Sequence, residues 1–149
     1  MATIHLPPDF KEFLRLLNAH QVEYLLIGGY AVGYHGYPRA TVDMDIWISM
    51  HPDNADRIVA VLEEFGFNLP DLSPDMFLKE WQVIRLGVPP VRIEIATTIS
   101  GVNFSECYAE KVLGELDGEQ VKLIGLKHLK INKKASGRHQ DLADLENLP

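Results

Sequence analysis

The sequence predicts a single α+β domain in which helices flank a mixed β-sheet. Some segments repeat apolar residues at helical spacing, whereas others are short apolar runs that end at glycine or proline. The runs 81–86 and 91–95 are separated by one short turn, and such hairpin-like pairs favour a mixed sheet over a doubly wound one. At 149 residues and 16.8 kDa, the chain has the length of one domain with an ordinary core.

Local patterns predict each element in turn. The first helix begins at Pro7-Pro8-Asp9, where Asp9 and Glu12 have the spacing of a capping box, and it continues to about Ala19. Gly66 and Gly137 end later helices. The predicted order is helix 9–19, strand 22–27, helix 30–35, strand 42–49, helix 52–65, strands 81–86 and 91–95, helix 104–113, strand 121–124, and a C-terminal helical element over 126–148.

Composition narrows the class of protein. Hydrophobic residues make up 46% of the chain and charged residues 23%, which is typical of a soluble globular protein. The net charge of −7 indicates that the surface as a whole does not attract nucleic acid. The single cysteine excludes an internal disulfide and fits a reducing compartment. Since neither a secretory signal nor an apolar run of membrane-spanning length is present, we predict a cytoplasmic protein that does not enter membranes.

Gly28 and Gly29 follow a predicted buried strand and precede a short predicted helix. In that setting successive backbone N–H groups can point at one anion, so the pair is a candidate phosphate site. The alternative is a simple tight turn that requires positive φ.

Asp43 and Asp45 lie on one face of the next predicted strand, together with Trp47. Two like charges so close together repel each other unless a cation neutralises them. Mg²⁺ is typically held by one or two carboxylates plus substrate phosphates. A solvent-exposed strand face is the alternative, and Trp47 argues against it because exposed faces seldom carry tryptophan.

Glu94 lies midway along another predicted strand. If that strand pairs with the one that bears Asp43 and Asp45, three carboxylates converge. The third would then accept a proton from an attacking hydroxyl or bridge to a second metal. An exposed glutamate weakly paired with Arg92 is the alternative.

Two further sets of residues are candidates for contact with phosphate. Arg39 and Thr41 precede the acids, where an arginine can stabilise a transferring phosphoryl group and a threonine can orient a carboxylate; a surface arginine is the alternative. The segment 127–138, with Lys133 and Arg138, holds five of the fourteen basic residues. A solvated helix face competes with a phosphate-contacting role for this segment.

The order and spacing of these residues resemble a known family. Gly28-Gly29, thirteen residues and then Asp43-Met44-Asp45 are similar to the signature of the DNA polymerase β-like nucleotidyltransferase superfamily. With Arg39 and Thr41 included, the pattern resembles the minimal, single-domain branch that includes AbiEii-type toxins. Residues 132–145 resemble the Lys…Gly-Arg-x-x-Asp-Leu-x-Asp element that closes many members.

The resemblance implies transfer of a nucleoside monophosphate from an NTP to a hydroxyl acceptor with release of pyrophosphate. In that picture the acids hold Mg²⁺ or Mn²⁺, and the third acid, often Asp in this family, is here a glutamate with a longer reach. The other candidates contact the nucleotide. The implied metal ligands and catalytic residues are Asp43, Asp45 and Glu94, and the implied nucleotide contacts are Gly28, Gly29, Arg39, Thr41, Lys133 and Arg138.

The acceptor and the partners are less constrained by sequence. The basic segment favours RNA over a protein or a small molecule as the acceptor, because phosphate contacts dominate RNA binding. A toxin role implies a neighbouring antitoxin. The alternative to an enzyme is a non-catalytic nucleotide-binding or protein-interaction module of the same fold.

Overall fold

The structure, a computed structural model, describes residues 4–67 and 69–149 and contains one six-stranded mixed sheet flanked by helices. The predicted α+β fold is therefore confirmed. A 3₁₀ turn lies at Pro74–Phe77. The other elements are α1 (Pro8–Ala19), β1 (Tyr24–Ile27), α2 (Gly28–Tyr34), β2 (Asp43–Ile48), α3 (Pro52–Phe65), β3 (Val83–Val88), β4 (Val91–Ala96), α4 (Phe104–Ala109), β5 (Val112–Leu116), β6 (Glu119–Leu123), α5 (Leu126–Ser136) and α6 (His139–Asn147).

The strand order of the sheet is β3-β4-β2-β1-β6-β5. Strands β2 and β4 pair in parallel, and so do β1 and β6, whereas β1–β2, β3–β4 and β5–β6 are antiparallel. A parallel pair needs a crossover connection, which α3 and the hairpin strand β3 supply between β2 and β4. The acid-bearing strand β2 therefore lies inside the sheet, next to the strand that carries Glu94.

The hydrophobic core fills one face of β2 and continues under α1. Met44, Ile46 and Ile48 are completely buried, as the alternation predicted. Trp47 lies on the same side as the acids but is only 1% exposed, because it packs edge-on against Phe104 of α4. One end of the acid-bearing face is thus covered by a helix, and the end with Asp43 and Asp45 stays accessible.

Two local predictions are wrong. The predicted helix 104–113 ends at Ala109, because the chain after it forms β5 and pairs with β6. The turn between them is Asp117-Gly118, in which both residues have positive φ, the two-residue geometry that joins antiparallel strands. The capping box is also absent: Pro7 is the N-cap without a side-chain bond, and Asp9 lies within the first turn.

No helix among residues 4–67 and 69–149 has the length and apolar composition needed to cross a lipid bilayer.

Asn54 on α3 provides the buried polar link between that helix and the sheet. Its side chain is 1% exposed, accepts from the Glu23 N–H at 2.7 Å and donates to the carbonyl oxygens of Glu23 and Ser49. Asn54→Ala leaves these backbone groups unpaired, so we expect the free energy of unfolding to fall by about 2–4 kcal/mol. Urea denaturation measures this. The exposed Asp56→Ala on the same helix is the control, and equal losses for both variants would contradict the assignment.

Candidate active site

Gly28 and Gly29 are the first two residues of α2, so the predicted turn is the start of a helix. Gly28 has a φ of +68°, and a Cβ there would collide with the carboxylate of Asp45. A Cβ on Gly29 would collide with the hydroxyl and Cβ of Thr41. Only residues without side chains allow the backbone to lie this close to the acids. The glycine pair therefore fits the end of β1 against β2.

The parallel register of β2 and β4 brings the three predicted acids together. Asp45 lies opposite Glu94, and Asp43 lies opposite Arg92. The condition under which the three acids were expected to converge, pairing of these two strands, is met. The same register places Arg92 within the acidic cluster and not at its edge.

Two arginines neutralise part of this cluster. Arg92 binds Asp43 through both its Nη2 and Nε atoms, at 2.7 and 3.1 Å. Arg85 on β3 donates from Nε to Glu94 Oε1 at 3.0 Å. Among residues 4–67 and 69–149, Asp45 has no such ion pair. Burial, the charge and hydrogen bonding of Glu94, and the charge of Asp43 together raise the pKa of Asp45 to about 7.

The residue types of this cluster suit a divalent cation. A buried carboxyl with a raised pKa beside a second carboxylate is a site that positive charge relieves. In the side-chain arrangement of the described residues, however, no three acidic, His or Cys groups are placed to hold a metal ion. Arg92 holds the carboxylate of Asp43 through two nitrogens.

The C-terminal helices contribute a buried ion network. Lys133 is 5% exposed, and its Nζ lies 3.2 Å from Asp141 Oδ1 and 3.1 Å from Asp144 Oδ2. Arg39 binds Asp144 through two nitrogens at 2.7 and 3.0 Å, and Arg138 Nε lies 2.8 Å from Asp141. Three cations and two carboxylates leave a formal charge of +1.

This network corrects the sequence analysis in two respects. The solvated-face alternative is wrong for Lys133, which is buried, although the neighbouring Lys134 is exposed. The sequence pattern does not predict a role for Asp141 and Asp144, yet they hold the three basic residues in place. Burial by itself raises the pKa of Asp141, but hydrogen bonds from Arg138 and Lys133 outweigh it and keep that pKa below its usual value. The signal in the sequence that indicates this role is the pair of acids, three residues apart, that follows Gly137-Arg138.

Two adjoining cavities connect the basic network to the acids. The smaller, of about 320 Å³, is lined by all of the predicted site residues except Glu94. The larger, of about 660 Å³, contains Glu94 and shares Gly28, Asp43, Asp45, Lys133 and Arg138 with the first. The structure thus gathers every predicted residue around one space.

Thr41 has a different contact from the one predicted. Its hydroxyl lies 3.4 Å from the backbone carbonyl oxygen of Asp43, so it does not orient a carboxylate. Arg39 likewise is not a free surface arginine, since Asp144 holds it.

The ion network predicts a large difference between two adjacent lysines. Lys133→Met leaves two buried carboxylates with one cation fewer, and we expect the free energy of unfolding to fall by about 3 kcal/mol. Lys134→Met removes an exposed charge and should change it by less than about 0.5 kcal/mol. Chemical denaturation of both variants measures the difference. Similar values would show that the network does not contribute to folding.

The raised pKa of Asp45 predicts a pH-dependent stability. Because the folded-state pKa, about 7, exceeds the ordinary value of 3.8, this group stabilises the fold at low pH, and the contribution is lost as pH rises towards and through 7. In EDTA at pH 8, Asp45→Asn should therefore be more stable than wild type by on the order of 2 kcal/mol.

The control for this effect is pH itself. At pH 4, the advantage of Asp45→Asn should shrink to near zero. Thermal melts across that range measure it, and an advantage that does not depend on pH would contradict the assignment to Asp45.

Comparison with known proteins supports the fold. No protein-family model and no curated protein matches the sequence. Among solved structures, the chain is similar to a proposed nucleotidyltransferase from Thermotoga maritima, with a TM-score of 0.61, 15% identity and coverage of 96% of this chain and 94% of that one. It is also similar to an antigenic nucleotidyltransferase-like protein from Paracoccidioides brasiliensis, with a TM-score of 0.53, 18% identity and coverage of 92% and 72%. The chain therefore has a nucleotidyltransferase-like fold.

Proposed function

We propose that the protein is a metal-dependent nucleotidyltransferase that moves a nucleoside monophosphate from an NTP to a hydroxyl acceptor. The observation that carries this proposal is the pairing of Asp45 with Glu94 beside Gly28, with a basic network on the other side of the same space. Phosphoryl transfer needs positioning and neutralisation of charge more than covalent help. The cluster contains groups suited to both.

We assign the triphosphate to the smaller cavity. Lys133, Arg138 and Arg39 line it together with the backbone of Gly28 and Gly29. Asp141 and Asp144 hold these cations and leave the network a net charge of +1, and a bound metal would offset the charge of Asp43 and Asp45, which line the same cavity. The side chains are already fixed by their ion pairs, so little conformational entropy is lost when phosphate binds.

Asp45 and Glu94, with Asp43, are the residues that would hold Mg²⁺, with Mn²⁺ as a substitute. When bound, the metal supplies neutralisation of charge on the phosphates. Asp43 is paired with Arg92, and rotation of its carboxylate towards the other two acids would free a guanidinium at the edge of the site. The oxygen of the acceptor hydroxyl attacks the α-phosphorus while Glu94 accepts the hydroxyl proton. The bond between the α-phosphorus and the pyrophosphate oxygen breaks.

We further propose RNA as the acceptor and a cytoplasmic, toxin-like role of the AbiEii type, with an antitoxin as partner. The support is the sequence pattern at 28–45 and 132–145 and the exposed basic residues Lys127 and Lys134 on α5, the helix that carries Lys133. Exposed lysines bind phosphate backbones without sequence preference.

A second candidate function is a non-catalytic nucleotide-binding module. The observation that favours it is the two-nitrogen contact of Arg92 with Asp43, in which an arginine takes the place that a metal ion would need on that acid. Such a module would bind NTP without transferring its nucleotide.

The test is incubation with α-labelled NTPs, Mg²⁺ and a cellular extract of RNA and protein. We expect label on a macromolecular acceptor with wild type, and a loss of about 1,000-fold or more for Asp45→Asn, because a buried carboxylate at the reacting centre is removed. The exposed Asp56→Asn is the control for loss of an acid elsewhere. NTP binding without transfer by wild type would favour the module, and absence of both would reject the proposal.

A further inference from the structure

Trp81 is a large apolar side chain at the mouth of the candidate site. It is 63% exposed and lines the larger cavity, which also contains Asp45 and Glu94. It lies two residues before β3, the edge strand next to β4. Trp81 makes no contribution to the core and is not used by the proposed phosphate or metal contacts.

The backbone holds Trp81 in an unfavourable conformation. Its φ is +59°, a left-handed value that is a clear outlier for a bulky residue. Two threonines that follow β4 fix this geometry: the Trp81 N–H donates to Thr98 Oγ1 and the Gln82 N–H to Thr97 Oγ1, both at 3.0 Å. Thr97 Oγ1 in turn donates to the Lys79 carbonyl oxygen at 2.7 Å. Strain that the surroundings maintain is a sign of function.

The neighbourhood of Trp81 suits a nucleobase. The same cavity has polar groups from Thr98, Ser100 and Asn132 and an apolar contribution from Ile99. An aromatic ring beside hydrogen-bonding groups can stack on a base and bind its edge. Because the larger and the smaller cavity share Asp43 and Asp45, a nucleotide with its phosphates at the acids can extend its base into the larger one.

We propose that Trp81 is the stacking platform for a nucleobase at this site, held ready by Thr97 and Thr98. The proposal rests on the proposed function and names the side chain that recognises the nucleoside. The base belongs either to the donor NTP or to the terminal nucleotide of an RNA acceptor, and the same stacking chemistry serves both. Stacking is tolerant of base identity, so Trp81 contributes affinity rather than sequence preference.

The test compares calorimetric affinities of wild type and Trp81→Ala in Mg²⁺ for three probes: the four common NTPs, inorganic tripolyphosphate and a short single-stranded oligoadenylate. We expect Trp81→Ala to lower the affinity for the NTPs or for the oligoadenylate by roughly 5- to 150-fold, which is the usual effect of alanine substitution at a stacking residue. The probe whose affinity falls identifies the source of the base. Tripolyphosphate, which has no base, should bind both proteins equally.

Two variants separate stacking from folding. Asn tolerates the left-handed conformation, so Trp81→Asn should fold at least as stably as wild type and show the same loss of affinity. Trp81→Phe should keep most of the affinity. Leu113→Ala, which removes a side chain 73% exposed on the opposite edge strand, is the control and should match wild type.

The outcomes are distinct. Unchanged affinity of Trp81→Ala for both the NTPs and the oligoadenylate, with wild type binding either, would overturn the inference and leave the proposed function standing. An equal loss for tripolyphosphate would overturn it too, because the effect would not concern the base. Failure of wild type to bind any probe would overturn the proposed function itself, and the platform with it.

Discussion

Asp45 faces Glu94 across two parallel strands in the interior of the sheet, and the surrounding structure is arranged around this repulsive pair. Burial and the neighbouring carboxylate raise the pKa of Asp45 to about 7, so the apoprotein accepts an electrostatic penalty at neutral pH. Gly28 can lie against the same carboxylate because it has no Cβ, for which there would be no room. Arg92 and Arg85 relieve the flanking acids but not Asp45. A carboxyl left in this state is suited to bind positive charge.

The C-terminal helices hold basic side chains together near the acids. Asp141 and Asp144 are buried and hold three basic residues through paired hydrogen bonds. Lys133 is the centre of this arrangement and is buried as few lysines are. The result places positive side chains and the exposed Trp81 around the same carboxylates, and the proposed contacts with phosphate, metal and base rest on this arrangement.

The sequence contained most of the fold and most of the candidate site. Alternation in β2 separated Met44 from Asp45, and the glycine at 66 ended α3 as expected, because both are local properties of the chain. The convergence of Glu94 with the aspartates depended on a strand pairing that spacing alone does not fix. Strand β5 was missed because its partner β6, not its own pattern, makes it a strand. The sequence indicates Arg92 only as a neighbour of Glu94, because its pairing with Asp43 depends on the parallel register of β2 and β4.

The central claim is that Asp45 and Glu94 form a cation site next to a triphosphate site. Crystals grown with Mn²⁺ and a non-hydrolysable NTP analogue, analysed by anomalous diffraction, test it directly. We predict an anomalous peak between the carboxylates of Asp45 and Glu94, the triphosphate against Gly28-Gly29, and Arg92 released from Asp43. A triphosphate bound elsewhere, with no peak at these carboxylates and the Arg92–Asp43 pair intact, would contradict it.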